Sequence, residues 1–373
     1  MRGRYILQDT QKAELHIGFV MSTEVGLHTQ YLNWRACLTP ELGVKPEWIV
    51  IDWWKRRGRI ERIPLLPDSF KARLRGEVQL RHGLKKGPFD ALFVAQERIF
   101  HGTNSYLFRQ DYFVTADVTA IQLAAFGDLY KKLPSGPAFY ERRKHAERVE
   151  RLERAKALFP WSRWAAESMI EDYGADPDTI HVISPGVIME KLLSNRDNSS
   201  QDGPTRILFV GGDFYRKGGD LLLKWATQTS RKNWHLDIVT RDLVVPTHKN
   251  VKIHRRIGPN SPELLALYSD AHIFALPTRG DCYSIASIEA MAAGLPVILS
   301  RTGGTGDIIS DDDTGFLIEP GDCDALFDKL DYLLDNPQRR IEMGAAARAD
   351  AENRFDATKN IAKTIEIMRK YLS

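Results

Sequence analysis

Leu276-Pro-Thr-Arg-Gly-Asp-Cys-Tyr-Ser-Ile-Ala-Ser-Ile-Glu-Ala-Met-Ala-Ala-Gly-Leu-Pro-Val297 reads as a strand end, a loop, a helix, a glycine stop and the start of the next strand. Ser284 is the predicted N-cap, since its hydroxyl accepts a first-turn amide, and Gly294 with Pro296 ends the helix. Ile285, Ile288 and Met291 recur at helical spacing as a buried stripe, which leaves Glu289 on another face. Helical side chains lean toward the N-terminus, so the reading sends Glu289 back toward the loop holding Asp281. Two carboxylates converging there would accept hydrogen bonds from a polyhydroxylated ligand. Taken singly, Glu289 reads more simply as a helix-dipole or surface carboxylate.

Outward from this stretch the chain alternates short apolar runs with longer amphipathic ones, the pattern of a doubly wound α/β architecture. Strands are predicted at 15–21, 48–52, 91–95, 112–115, 157–159 and 180–183, then at 206–211, 235–240, 251–254, 273–276 and 297–300. Helices are predicted at 164–173, 220–229 and 284–293, and the tail from 324 onward is helical by pattern. A polar stretch at 195–204 reads as a linker or exposed loop. The expected division is a first domain at 1–186, a second at 187–355, and a final helix at 356–373 that crosses back to the first. With 373 residues the chain is long for one core, and two domains are the natural expectation.

Phe209-Val-Gly-Gly-Asp-Phe-Tyr-Arg-Lys-Gly-Gly-Asp220 is the second informative segment. An apolar strand ends in the pair Gly211-Gly212, and a loop then presents Arg216 and Lys217 just before a helix. Glycines permit close backbone approach, a helix start offers unpaired amides, and the two cations add formal charge, so a diphosphate suits the site. It is not a Walker loop, because no Gly-Lys-Ser/Thr follows at the required spacing. A glycine-rich turn bearing two solvated cations fits the segment equally well when it is taken alone.

Hydrophobic residues make up 43% and charged residues 27%, a composition of folded globular proteins. Cys37, Cys282 and Cys323 are odd in number and widely spaced, which suits a reducing compartment. The N-terminus lacks the apolar core of a signal peptide, and no run approaches the roughly 18 residues that span a bilayer. A cytoplasmic protein is expected. Net charge is only +3, yet residues 55–86 hold eleven Lys or Arg against Glu61, Asp68 and Glu77, directly after Trp53-Trp54. That stretch is either a solvated surface or a contact for anionic lipid headgroups. No module for nucleic acid accompanies it.

In the first half, Glu24-Val-Gly-Leu-His-Thr-Gln30 follows a strand and opens a helix, which brings Gly26 near a candidate phosphate position. Asp117 follows the strand at 112–115, where an Asp reads as a turn cap. His28 and His101 are candidate acids or bases, though a lone histidine is more often structural. Asp311-Asp-Asp313 reads as a solvated turn, and no His/Cys/carboxylate cluster suggests a metal. No nucleophilic triad is apparent.

Glu289 through Val297 resembles the second part of the signature of glycosyltransferase family 4, a Glu, seven residues, then Glu-Ala-Met-Ala-x-Gly-x-Pro-Val. Asp281 stands where the first Glu usually is. Ser300-Arg-Thr-Gly-Gly-Thr-Gly-Asp-Ile-Ile309 and Thr314-Gly-Phe-Leu resemble the family's next strand and loop, with Asp307 for a usual Glu. Arg216-Lys217-Gly218 resembles its diphosphate-binding segment, with Gly212 where many members have Arg. The likeness is strong over about residues 157–320 and weak before that, where Asp117 stands in place of a usual His in a stretch similar to that of some relatives, which would put it near the reaction centre.

The resemblance implies a GT-B fold, two Rossmann-like doubly wound domains facing across a cleft, with donor in the second and acceptor in the first. It implies retaining transfer from a nucleotide-diphosphate sugar to a saccharide or lipid-linked acceptor, with no cofactor and no obligatory metal. Arg216 and Lys217 would grip the diphosphate, Glu289 the ribose and Asp281 the transferred sugar, aided by the amides of Tyr283, Ser284 and Ile285. The alternatives are a sugar-nucleotide epimerase of the same fold and a non-catalytic sugar-nucleotide or membrane-binding protein.

Overall fold

The computed structural model describes residues 14–55, 58–96, 99, 104–130, 136–192 and 203–373. The first domain runs β1 (Leu15–Ser22), α1 (Val25–Cys37), β2 (Val44–Ile51), α2 (Asp68–Leu84), β3 (Ala91–Ala95), α3 (Asn104–Leu107), β4 (Tyr112–Ala116), α4 (Ala120–Ala125), α5 (Ala138–Glu153), β5 (Leu158–Pro160) and α6 (Arg163–Glu171). Its strands form one parallel sheet in the order β2-β1-β3-β4-β5. Strands β3 and β4 are buried at every position, as expected of strands covered by helices on both faces. Phe19, Trp34 and Phe93 fill one side of the sheet, with Trp34 stacked on Phe93 at 4.5 Å.

The second domain runs β6 (Thr205–Val210), α7 (Gly219–Gln228), β7 (Trp234–Val239), β8 (Val251–His254), α8 (Pro262–Asp270), β9 (Ile273–Leu276), α9 (Ile285–Ala292), β10 (Val297–Ser300), β11 (Gly315–Ile318), α10 (Cys323–Asp335) and α11 (Pro337–Arg354). Its six strands are parallel in the order β11-β10-β9-β6-β7-β8. The order reverses between β6 and β9 here, and between β1 and β3 in the first sheet. Ligands of open α/β sheets bind at such reversal points, beyond the carboxyl ends of the strands. The loops after β6 and β9 are the two segments that the sequence marks for chemistry.

One strand expectation fails. Residues 180–183 run beside β5 but share only the bridge Leu158–Ile180. His181 N donates to Leu158 O at 2.8 Å and Ile183 N to Pro160 O at 3.0 Å. Pro177 and Pro185 bracket the segment and cut the ladder short.

The chain passes between domains at Val187 and returns at Asp356, and the two crossings pair with each other. Val187 N donates to Phe355 O at 2.8 Å, and Ala357 N donates to Val187 O at 3.0 Å. Gly186 has φ +71°, and a Cβ there would lie 2.6 Å from Ala357 Cα, so a side chain is excluded on two counts. Helix α12 (Ala357–Leu372) then returns to the first domain, where Arg369 donates to the carbonyls of Leu42 and Gly43. Asp307 of the second domain caps α6 of the first. Its carboxylate accepts from Arg163 N at 2.7 Å and from Arg163 Nε at 3.0 Å. No helix among the described residues is long and apolar enough to cross a membrane.

Candidate active site

The loop after β6 turns on Gly211, Gly212 and Gly218. A Cβ on Gly211 would lie 2.9 Å from Lys217 Cβ, so the loop folds tightly on its own cation. The guanidinium of Arg241, from the loop after β7, lies over Gly212, 2.9 Å from where a Cβ would be. Gly218 has φ +79°, and a Cβ there would lie 2.0 Å from Pro277 O. Gly218→Ala is therefore expected to push the loop off the β9 connection. It should lower the melting temperature by several degrees, read by calorimetry.

Arg216 and Lys217 point into the seam between the domains. Arg216 Nη1 donates to Gly280 O at 2.7 Å and to Tyr130 Oη of the first domain at 3.1 Å, and its Nε donates to Asp213 at 3.3 Å. Lys217 Nζ pairs directly with Asp281 Oδ2, with both side chains largely buried. Arg279 clips the loop from outside. It holds Asp220 through two bonds of 2.7 and 2.8 Å and donates its own amide to Arg216 O at 2.8 Å. Thr278, wholly buried, donates to Gly280 O at 3.1 Å.

Ser284 is the N-cap of α9, accepting from Ser287 N at 3.2 Å, and the helix starts four residues after Asp281. Glu289 is buried, contrary to the simple surface reading, and its carboxylate accepts from Tyr268 Oη of α8 at 2.8 Å. The two carboxylates thus engage separate partners, Asp281 with Lys217 and Glu289 with Tyr268. Burial pushes the Glu289 carboxyl up to about 7, with the Tyr268 hydrogen bond pulling the other way. Tyr283 is buried against Trp161 across the seam, and burial holds its hydroxyl up at about 12.

From the first domain, Asp117 accepts from Gln96 Nε2 at 2.8 Å at the carboxyl ends of β3 and β4. Its charge is felt at Cys282, whose thiol is pushed up first by burial and then by Asp117. Asp117 is therefore near enough to Cys282 for its charge to act across the seam. Gly26 lies in the first turn of α1 with open space where a Cβ would stand. His28 lies two residues on, its Nδ1 buried without a hydrogen-bond partner, and His101 lies outside the described residues. Asp311 accepts the Leu317 amide at 2.9 Å, as a turn residue does. No group of three metal-ligating side chains occurs among the described residues. A cavity of about 550 Å³ opens at the hinge, bordered by Arg163, Ser184, Asp307 and Lys363 but not by Arg216 or Lys217.

Sequence reasoning missed Tyr130, Arg241 and Tyr268. Each meets its partner only through the fold, and none stands in a motif with its partner.

Residues 191–350 match the family described as Glycosyl transferases group 1. The D-inositol 3-phosphate glycosyltransferase of Corynebacterium aurimucosum is 28% identical over 254 residues, 61% of this chain and 60% of that protein. The MMP alpha-(1->4)-mannosyltransferase of Mycolicibacterium hassiacum is 27% identical over 227 residues, 58% of this chain and 54% of that protein. This chain therefore aligns with about 60% of the length of such relatives. Among solved structures, sucrose-phosphate synthase from Thermosynechococcus elongatus superposes with a TM-score of 0.73 at 17% identity, covering 96% of this chain and 99% of that one. The Anabaena protein HepE in complex with UDP-glucose gives 0.67 at 15% identity, covering 96% and 100%. These structures share the fold.

Proposed function

We propose that this chain, a GT-B protein that belongs through residues 191–350 to the glycosyl transferases group 1, moves a sugar from a nucleotide-diphosphate sugar to a hydroxyl of a saccharide or lipid-linked acceptor. The observation that carries this reading is the convergence of Arg216, Lys217 and the start of α9 at the point where strand order reverses. Two cations and a helix start there make a site for a diphosphate. That HepE was solved with UDP-glucose supports a donor of this class. The relatives are transferases, which speaks for transfer rather than epimerisation.

In this account the diphosphate competes with Asp281 for Lys217 and releases the Asp281 carboxylate to accept hydroxyls of the transferred sugar. Glu289 accepts the ribose hydroxyls. Glycosyl–phosphate cleavage passes through an oxocarbenium-like state, and Arg216, Lys217 and the amides of Tyr283, Ser284 and Ile285 stabilise the charge that grows on the leaving diphosphate. Those donors supply the positive charge that a metal would otherwise bring, so transfer is metal-independent. A departing phosphate oxygen takes the acceptor proton on the same face, with retention of configuration. Asp117 faces this centre from the acceptor domain, and domain closure limits donor hydrolysis.

The test incubates purified chain with nucleotide sugars and a panel of saccharide acceptors. A product glycoside with the donor's anomeric configuration, formed equally with chelator present, is expected. An isomerised sugar nucleotide with no acceptor-dependent product would contradict transfer.

The basic stretch carries a subsidiary part of the proposal, peripheral contact with anionic lipid. Glu61 is held at about 2 by Arg75, and Lys86 pairs with Glu47. Arg59, Arg62, Arg73 and Lys85 make no ion pair among the described residues. Arg62 directly precedes exposed Ile63, and Arg73 lies one helical turn from exposed Phe70 on α2. Co-sedimentation with vesicles containing anionic phospholipid is expected, weakened severalfold by reversing Arg62 and Arg73 to Glu. Equal binding by the reversed chain would remove this part alone.

A further inference from the structure

The segment at 126–130 of the first domain sits directly on the loops of the second. A Cβ on Gly280 would lie 3.0 Å from Leu129 and 3.1 Å from Phe126, and one on Gly303 would lie 3.3 Å from Phe126. Beside them Tyr130 lies under Arg216, with the guanidinium 4.4 Å from the ring centroid and Nη1 donating to the hydroxyl at 3.1 Å. Cys282 Sγ donates to the same hydroxyl at 3.4 Å. One side chain from the acceptor domain thus touches the cation and the loop that frame the diphosphate position.

Tyr130 differs in kind from the other partners of Arg216. Asp213 offsets the guanidinium charge and is itself partly exposed, which makes it a weak partner. A phenol orients the cation without neutralising it. Burial, reinforced by the Asp281 charge, pushes the Tyr130 hydroxyl far above its ordinary range, so it stays neutral. Stacking fixes the plane of the guanidinium, and the hydrogen bond fixes its rotation within that plane.

We infer that Tyr130 is a positioning residue for Arg216, supplied across the domain seam, which aims the guanidinium at the donor diphosphate and makes that aim depend on the two domains being together. The inference rests on the proposed donor site. It adds a residue from the acceptor domain to the grip on the leaving group.

The test titrates uridine, guanosine, adenosine and thymidine diphosphates by calorimetry into the full chain, its Tyr130→Phe and Tyr130→Ala variants, Arg216→Ala and the double variant Tyr130→Ala/Arg216→Ala. Phenylalanine keeps the ring and loses the hydrogen bond, so about threefold weaker binding is expected. Alanine loses both, and about 10- to 30-fold is expected. In the Arg216→Ala background the Tyr130 substitution should change affinity less than about twofold, since its effect acts through that cation. A merely structural role would weaken both backgrounds alike and would overturn the inference. So would tighter binding by Tyr130→Ala, which would make the ring a competitor of the ligand. If the unsubstituted chain binds one of the four and the Tyr130 variants bind it equally, this inference alone falls. If the unsubstituted chain binds none, the donor site falls and takes the inference with it.

Discussion

Lys217→Ala is expected to reduce sugar transfer by about 100- to 1,000-fold, the loss typical of removing one preorganised donor from a developing negative charge. Stability falls as well. The Lys217 and Asp281 side chains are 14% and 6% exposed, so truncation strands a buried carboxylate. Breaking such a pair costs about 3–5 kcal/mol, which for a domain of this size lowers the melting temperature by about 10 °C. The two losses are separable. Adding Asp281→Asn to Lys217→Ala removes the stranded charge and should recover most of the melting temperature while transfer stays low. Calorimetry and initial rates on the two variants check this. Near wild-type transfer by a folded Lys217→Ala chain would contradict the role.

Glu289 gives the second large effect, through pH. Its carboxyl sits at about 7 in the folded chain against an ordinary 4.5, with burial as the main cause. A raised value means that the folded state holds the proton more tightly than the unfolded state. The corresponding stabilisation is complete below about 4.5 and is lost as pH rises through about 7. If Glu289 holds the ribose, donor binding is expected to have the opposite slope, because only the carboxylate would accept from both ribose hydroxyls. Between pH 5.5 and 8 the ionised fraction of such a group grows about 30-fold, and donor affinity should rise by a similar factor. Glu289→Gln keeps an acceptor for Tyr268 and cannot ionise. It should bind donor about tenfold or more weakly at pH 8, lose the pH slope, and melt no lower than wild type at that pH. A glutamine variant that retains the slope would assign the titration to another group.

Most of the fold is legible in the sequence because parallel α/β sheets write themselves as apolar runs. Residues 91–95 and 251–254 form strands with the expected bounds. The 180–183 run misleads because it follows β5 through two backbone hydrogen bonds and a single bridge without a full ladder, and of its apolar residues only Ile183 is buried while Val182 is exposed. At the site, Arg216, Lys217 and Asp281 are visible because glycine spacing and a helix start announce them. Their mutual arrangement is not. Ion pairing between Lys217 and Asp281 spans 64 residues, so local pattern carries no trace of it, and it changes what truncating Lys217 does to stability. Glu289 looks like a surface carboxylate because helical periodicity sees only its own helix. Tyr268 of α8 holds its carboxylate, and nearly all of α9 is buried. Tyr130 lies outside any motif, and only the approach of two domains gives it a partner.

Arg216, Lys217 and the start of α9 are expected to grip a pyrophosphate in the C-terminal domain. Calorimetric titration of the folded chain with uridine, guanosine, adenosine and thymidine diphosphates tests it most directly. The account requires one of them to bind at a single site, and requires an Arg216→Ala/Lys217→Ala chain that remains folded to lose that binding. A folded wild-type chain with no affinity for any of the four, or a double variant that binds as well as wild type, would contradict it.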